Sequence, residues 1–118
     1  MKYDYIIVGA GSAGCVIANR LSEDPSTQVL LIEAGGSDRR FFIQMPIGYG
    51  VTYHQKAVNW MYMTEPSPDA DNKPSYWPRG KVMGGSSSIN AMVYVRGNPK
   101  DFDQWSEAGN PGWSYSDV

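Results

Sequence analysis

Three glycines near the amino terminus, Gly9, Gly11 and Gly14, have the spacing G-x-G-x-x-G, and Glu33 follows 19 positions after the last of them. Between a strand and a helix, such glycines permit a tight turn, close approach of a pyrophosphate, and close packing of the helix on the strand. A carboxylate at the position of Glu33 accepts hydrogen bonds from a ribose hydroxyl and would repel a 2′-phosphate. The spacing therefore predicts a dinucleotide-binding turn and argues against NADP.

The residues around these glycines predict the elements that such a turn needs. Residues 4–8, DYIIV, are typical of a buried parallel strand, and residues 28–32, QVLLI, predict a second strand that ends on Glu33. Between them, apolar residues recur at helical spacing until Asp24-Pro25, where we expect the helix to stop. Its first N–H groups, around Ser12 and Ala13, are expected to bind phosphate oxygens. The motif does not distinguish FAD from NAD, and an ordinary glycine turn in a βαβ unit is the alternative.

The segment from Gly35 to Trp77 has no long period but is rich in aromatic residues and proline. Such long connections are usually functional covers or disordered linkers, and the aromatic content favours an ordered cover. Residues 59–64 are its one plausible strand, and residues 67–75 predict an exposed turn. We expect His54 to be a solvated loop residue, because no partner for general-base chemistry lies near it.

Residues 78–97 read PRGKVMGGSSSINAMVYVRG, so glycines and serines stand directly before apolar residues. Serines are good helix N-caps, and glycines let a backbone approach a ligand. The segment predicts a second backbone nest for a nucleotide, while composition alone favours a flexible linker about equally. The flanking Arg79, Lys81 and Arg96 have two equal interpretations, phosphate neutralisation or ordinary exposed charge. Cys15 is expected to be a small packed side chain, because the sequence has no second cysteine.

Four motifs in this order resemble one enzyme family. They are IIVGAGSAGCVIANRLSEDPSTQVLLIEAGG at 6–36, NW-x-Y at 59–62, the signature G-K-x-hydrophobic-G-G-S-S-x-I-N from Gly80, and DFDQW at 101–105. Together they resemble the amino-terminal part of the glucose–methanol–choline (GMC) flavoprotein oxidoreductases, especially choline dehydrogenase-like and alcohol dehydrogenase-like members. Met83 stands where a branched aliphatic residue is usual in that family, and methionine is a tolerable filler there.

The resemblance implies an α/β fold, a Rossmann-type FAD-binding domain that is the amino-terminal part of a two-domain flavoprotein. It implies FAD rather than NAD, held noncovalently, since Ile89 and Asn90 stand where some members attach FAD through a histidine. The cofactor-binding residues that it implies are Gly9, Gly11, Ser12, Ala13, Gly14, Glu33, Ala34, Trp60, Gly85, Ser86, Asn90, Ala91, Met92 and Val93. We divide the chain into a βαβ core at 1–36, a cofactor cover at 37–77 and a flavin-contacting segment at 78–118.

The resemblance also implies oxidation of a primary alcohol to an aldehyde by hydride transfer to FAD. In the family a histidine takes the hydroxyl proton and is paired with a second histidine or an asparagine, and we expect that pair beyond Val118. The capping-box spacing of Ser114 and Asp117 predicts a helix that begins as the chain stops, so we expect a fragment that is inactive alone. An NAD-binding Rossmann protein and an inactive nucleotide-binding fragment are the alternative functions.

Composition narrows the partners. Ten basic and twelve acidic side chains give a net charge of −2 without a basic cluster, which disfavours nucleic acid. No apolar run reaches the length of a membrane span, and no metal site is expected. A single cysteine favours the cytoplasm, with peripheral attachment to the inner face of the membrane as an alternative. The expected partners are a small alcohol and an electron acceptor, which is oxygen, a quinone or another carrier.

Overall fold

The amino-terminal third forms a strand, a helix and a second strand. In the computed structural model, which describes residues 2–118, strand β1 spans Tyr5–Val8, helix α1 spans Ser12–Leu21 and strand β2 spans Val29–Ile32. The strands are parallel neighbours, with Tyr5 opposite Val29 and Val8 opposite Ile32. Two parallel strands joined through a helix form a βαβ unit, which confirms the predicted arrangement.

The β1–β2 sheet keeps much of its apolar surface open. Ile6 and Val8 are 61% and 82% exposed, and Val16 and Ile17 of α1 are exposed as well. The prediction of a buried strand at residues 4–8 is therefore wrong for the described chain. A parallel sheet needs cover on both faces, and α1 is too short to supply it.

Helix α1 ends earlier than predicted. Its last residue is Leu21, three positions before Asp24. The chain leaves the helix at Ser22, whose hydroxyl donates to the Asn19 carbonyl, and Asp24 then accepts hydrogen bonds from the Ser26 N–H and hydroxyl. Serine and aspartate side chains that bond the nearby backbone in this way favour turns over helix.

The segment between residues 35 and 77 contains short elements. Helices α2 (Phe41–Gln44) and α3 (Tyr49–Thr52) flank a 3-10 turn at Pro46–Gly48, and strands β3 (Tyr62–Met63) and β4 (Tyr76–Trp77) pair antiparallel. The predicted turn at residues 67–75 is largely exposed and includes a 3-10 turn at Pro68–Ala70, which confirms it.

The strand predicted at residues 59–64 is reduced to the two residues of β3. Met61 has a positive φ of 56°, which interrupts an extended chain. The Asn59 side chain stabilises this turn, because its Oδ1 accepts the Met61 N–H at 2.9 Å. Trp60, Tyr62 and Thr64 therefore do not form one face of a continuous strand, as the alternating pattern suggested.

Residues 80–84 pair both with the glycine turn of the βαβ unit and with the segment between residues 35 and 77. Single bridges join Asn59 to Gly80, Gly36 to Val82 and Gly11 to Gly84. The buried apolar cluster lies around this crossing: Val58, Val82 and Ile89, with Ile43 packed against it. The best-packed part of the described chain therefore supports the glycine-rich turns and not the β1–β2 sheet.

The carboxy-terminal residues pack as a small aromatic unit. Helix α4 spans Pro99–Glu107, as Pro99 and Gly109 predicted, and aromatic contacts join its Phe102 to Tyr115 and its Trp105 to Trp113. Residues 114–117 form a turn with half of a capping box: the Ser114 N–H donates to the Asp117 carboxylate, and the Asp117 N–H donates to the Ser114 carbonyl. No helix in residues 2–118 has the length and apolar character that a bilayer crossing requires.

Candidate cofactor-binding site

The glycine turn between β1 and α1 has the geometry that its spacing predicted. Gly9 has a φ of 98°, in the left-handed region that favours glycine. A Cβ at Gly14 would overlap the Gly9 carbonyl oxygen, so glycine is required for α1 to lie this close to the turn. Gly11 is the N-cap residue of α1, and no side chain caps the helix there. The positive end of the α1 dipole thus opens beside Gly11, as an anion site requires.

Glu33 ties the end of β2 to this turn. Its Oε2 accepts the N–H of buried Ala10 at 2.8 Å, and its Oε1 accepts the N–H of Gly35 at 2.9 Å. Each carboxylate oxygen has further acceptor capacity, so these bonds leave room for a ribose hydroxyl. The residue therefore has a structural role that the motif did not predict, and the role toward a ribose stays a prediction.

A second glycine turn packs against the first through its backbone. Gly84 and Gly85 both have positive φ, 87° and 59°. The Gly84 N–H donates to the Ala10 carbonyl at 2.7 Å, and a Cβ at Gly85 would come within 2.9 Å of the Gly11 Cα. The stretch GGSSS is thus an ordered turn whose glycines allow close contact, and the linker interpretation is wrong.

The serines of this turn do not cap a helix as predicted. Residues Gly85–Ser88 form a 3-10 helix whose N-cap is Gly84, without a side-chain cap. The hydroxyls of Ser87 and Ser88 donate backwards, to the carbonyls of Gly84 and Met83. The Ser86 hydroxyl accepts the Gly80 N–H at 3.0 Å. The left-handed glycines direct the chain so that these hydroxyls brace the turn.

The two glycine turns share one cavity of about 490 Å³. It brings together seven of the predicted cofactor-binding residues: Gly9, Gly11, Glu33, Ala34, Trp60, Gly85 and Ser86. Sequence reasoning assigned no role there to Tyr62, although the NW-x-Y motif contains it; its ring lies parallel to that of Trp60, 5.9 Å away. Ser12, Ala13 and Gly14 lie behind the turn in α1 and do not line the cavity.

A second cavity, of about 270 Å³, adjoins the first, since Arg79 and Ser86 line both. We call these two adjoining cavities the groove and the two shared residues its waist. Asn90 and Ala91 line the second cavity as predicted cofactor residues, next to Tyr49 and Tyr53 from the cover segment, which were not predicted. Glu33 lines the first cavity and Asn90 the second.

Five predicted residues do not line this groove: Ser12, Ala13, Gly14, Met92 and Val93. Met92 lines a third cavity, of about 230 Å³, that faces α2, and Val93 is 78% exposed. Of the apolar residues that follow the serines, Ile89 anchors the turn, since it belongs to the buried cluster. The stretch from Met92 to Val95 is exposed throughout.

The three basic residues near the signature differ in position. Arg79 lies at the waist of the groove, where its guanidinium stacks on Trp77 at 4.9 Å. The Lys81 ammonium lies 4.6 Å from the Trp60 ring centroid, a cation–π contact that buttresses the groove wall. Arg96 lines a distant pocket beside Phe102. Proximity to the groove therefore favours a phosphate role for Arg79 over Arg96.

His54 agrees with the prediction of a solvated loop residue, whereas Cys15 does not agree with the prediction of a packed side chain. His54 is exposed as predicted, yet its ring stacks on Tyr76 and meets Tyr53 edge-on at 4.8 Å, outside both cavities. Cys15 is exposed and not packed; its thiol donates to the Ala10 carbonyl at 3.3 Å. The residues 2–118 contain no cluster of His, Cys, Asp and Glu that could hold a metal ion.

A glycine turn between a parallel strand and a helix, with an acid after the second strand, defines a Rossmann-type dinucleotide-binding α/β domain. Residues 3–118 match the GMC oxidoreductase family, and the chain belongs to that family. Membership confirms the predicted family and fold class, and it covers the signature segment as well as the βαβ unit.

Curated relatives agree with this membership. The chain is 57% identical over 113 residues to an oxygen-dependent choline dehydrogenase of Vibrio vulnificus, covering 96% of this chain and 20% of that protein. It is 53% identical over 113 residues to an alcohol dehydrogenase (acceptor) of Pseudomonas putida, with the same coverage. The chain thus spans about a fifth of the length of these relatives.

A solved structure extends the likeness to the fold. The crystal structure of pyridoxine 4-oxidase from Mesorbium loti superposes with a TM-score of 0.73 and 40% sequence identity. The match covers 98% of this chain and 23% of that one. The arrangement of βαβ unit, cover segment and signature turn is therefore similar to that of a solved enzyme.

Proposed function

We propose that this chain is the amino-terminal FAD-binding part of a larger oxidoreductase that converts a primary alcohol to an aldehyde. The observation that carries the proposal is the contact between the two glycine turns at Gly11 and Gly85, beside two adjoining cavities. An NAD-binding βαβ unit explains the first turn but gives no role to the second. Family membership and relatives that act on choline and alcohol support the same cofactor and substrate class.

The groove residues fit FAD in order along its length. Glu33 and the wall formed by Trp60 and Tyr62 would hold the adenosine half, and the amino-terminal end of α1 at Gly11 would hold the pyrophosphate. Beyond the waist, Asn90 and Ala91 would hold the flavin half. A Cβ at Gly85 would fill the approach to Gly11, so this cradle depends on glycine.

Bound FAD supplies the two-electron acceptor to which the alcohol carbon transfers its hydride. The chain's own residues bind and orient the cofactor. His54, the sole histidine of the sequence, stacks on Tyr76 away from the groove. The group that takes the hydroxyl proton therefore belongs, in this proposal, to a part of the protein outside residues 2–118.

We also propose that the flavin is held noncovalently. Ile89 belongs to the buried cluster with Val58 and Val82, and its alkyl side chain offers no nucleophile to a flavin. We further propose that the protein works in the cytoplasm, with attachment to the inner face of the membrane as an alternative. Its electron acceptor in this proposal is oxygen, a quinone or another carrier.

The experiment uses the full-length protein. Purified protein should show the visible absorption of oxidised flavin, and acid precipitation should release FAD into the supernatant. Choline or a simple aliphatic or aromatic alcohol, added without oxygen, should bleach the flavin band. Colourless protein that binds NAD would overturn the cofactor assignment, flavin in the acid pellet would overturn noncovalent binding, and a band that no alcohol bleaches would overturn the substrate class.

A further inference from the structure

Asn59 is one of the most deeply buried polar residues of the described chain, and its side-chain amide is fully hydrogen-bonded. It is 1% exposed. Its Nδ2 donates to the Tyr53 carbonyl at 2.8 Å and to the Tyr76 hydroxyl at 3.2 Å. Its Oδ1 accepts the N–H groups of Met61 and Arg79, both at 2.9 Å. An amide has two donors and two acceptor positions, so its capacity is used completely.

Two of the four partners, Tyr53 and Arg79, line the groove, and Met61 lies between two residues that line it. Tyr53 lines the cavity assigned above to the flavin half. Met61 lies between Trp60 and Tyr62, which line the cavity assigned to the adenosine half. Arg79 lines both cavities at the waist. One buried side chain thus connects both halves of the groove to the point where they meet.

The surrounding bonds close this network. The Tyr76 hydroxyl accepts from Asn59 and donates to the Tyr53 carbonyl at 2.6 Å. The main chain adds a bridge between residues 59 and 80, with the Trp60 N–H donating to the Arg79 carbonyl and the Lys81 N–H to the Val58 carbonyl. Satisfied buried polar networks of this kind fix one arrangement of the groups around them.

We propose that Asn59 is a positioning residue that sets the distance and orientation between the adenosine and flavin ends of the groove. The proposal rests on the proposed function, because it takes FAD as the ligand that spans both ends. A ligand with two linked halves gains affinity only if both sites can be engaged together. Misalignment of the two ends therefore weakens FAD while leaving each half-ligand nearly unaffected.

The test is Asn59→Asp in the full-length protein, with Asn72→Asp as the matched control. The carboxylate keeps the shape of the amide but loses both donors, so it faces the Tyr53 and Tyr76 oxygens unfavourably. Asn72 is exposed in a surface turn, so the same change there is harmless. The dissociation constants of FAD, ADP and FMN are measured by calorimetry on apoprotein, at a temperature where circular dichroism shows each variant folded.

For Asn59→Asp we expect at least a tenfold weaker affinity for FAD and less than a twofold change for ADP and for FMN. If the variant does not fold, Tyr76→Phe replaces it, with Tyr115→Phe as its control; an affinity for FAD a few-fold weaker is then expected, with the half-ligands unchanged. Unchanged affinity for FAD, or an equal loss for all three ligands, would overturn the positioning role. Wild-type protein without affinity for FAD would instead overturn the proposed function.

Discussion

Replacing Gly85 with alanine places a methyl group between the two glycine turns. Gly85 has a φ of 59°, a conformation that costs an L-residue about 1–2 kcal/mol. The new Cβ would lie 2.9 Å from the Gly11 Cα, whereas ordinary contact begins at 3.4 Å, so the turns must separate by about 0.5 Å. Gly109→Ala is the matched control, because Gly109 also has positive φ, at 97°, with nothing within 4 Å of its Cβ.

Gly109→Ala should lose about 1–2 kcal/mol in the free energy of unfolding, the cost of the backbone conformation alone, and Gly85→Ala should lose more, because the turns must also separate. Only Gly85→Ala should also lose cofactor affinity, because separation of the turns lengthens hydrogen bonds to the pyrophosphate. A hydrogen bond to a charged group contributes about 1.5–3 kcal/mol, so losing one weakens affinity about tenfold to a hundredfold. Urea titration measures stability, and the fluorescence of free flavin measures affinity for FAD. Equal affinity for FAD in the two variants would refute the assignment of the Gly11–Gly85 contact to cofactor binding.

Three further predictions concern single side chains. Glu33→Gln should lower the free energy of unfolding in urea by about 1–3 kcal/mol, because an amide keeps one acceptor oxygen and turns an N–H toward the Ala10 or Gly35 N–H. An unchanged midpoint of urea unfolding would contradict this. Val82→Ala should lower the free energy of unfolding by about 1–3 kcal/mol, because it leaves a cavity in the buried cluster. A melting temperature that falls less than it does when an exposed valine is changed to alanine would contradict this. Hydrogen bonds from the Ser26 hydroxyl and N–H lower the pKa of Asp24. The ionised carboxylate therefore stabilises the fold at neutral pH, and this contribution is lost as the pH falls through the lowered pKa. Ser26→Ala should raise the pKa of Asp24 toward its ordinary value, and an NMR titration of the carboxyl carbon that finds no change would disprove this.

Local chemistry made the βαβ unit predictable. Each of its strands is a short apolar run, and the turn at Gly9 needs only the conformational freedom and close approach that glycine provides. The same reasoning failed for burial, because cover over β1 depends on residues distant in the chain. It also placed the end of α1 too late, since the bonds of Ser22 and Asp24 to their neighbours end the helix before the proline acts.

The second half of the groove was less predictable, since long-range contacts determine it. The alternation at residues 59–64 predicted a strand, but the buried Asn59 side chain holds Met61 in a left-handed conformation. The serines predicted caps, but the positive φ of Gly84 and Gly85 turns their hydroxyls back along the chain. The family resemblance, and not composition alone, indicated that both segments are functional, and only three-dimensional contacts fix which atoms face the groove.

The hydrogen bond from Gly84 to Ala10 joins residues 74 positions apart, and the bridge from Val82 to Gly36 closes a loop of 46. Contacts between residues so far apart in the sequence are slow to form, because closing the long loop costs entropy before packing contributes any stability. The groove therefore depends on long-range contacts, whereas α1 depends mainly on local ones. A ligand that bound across both glycine turns would stabilise the closed loop by mass action.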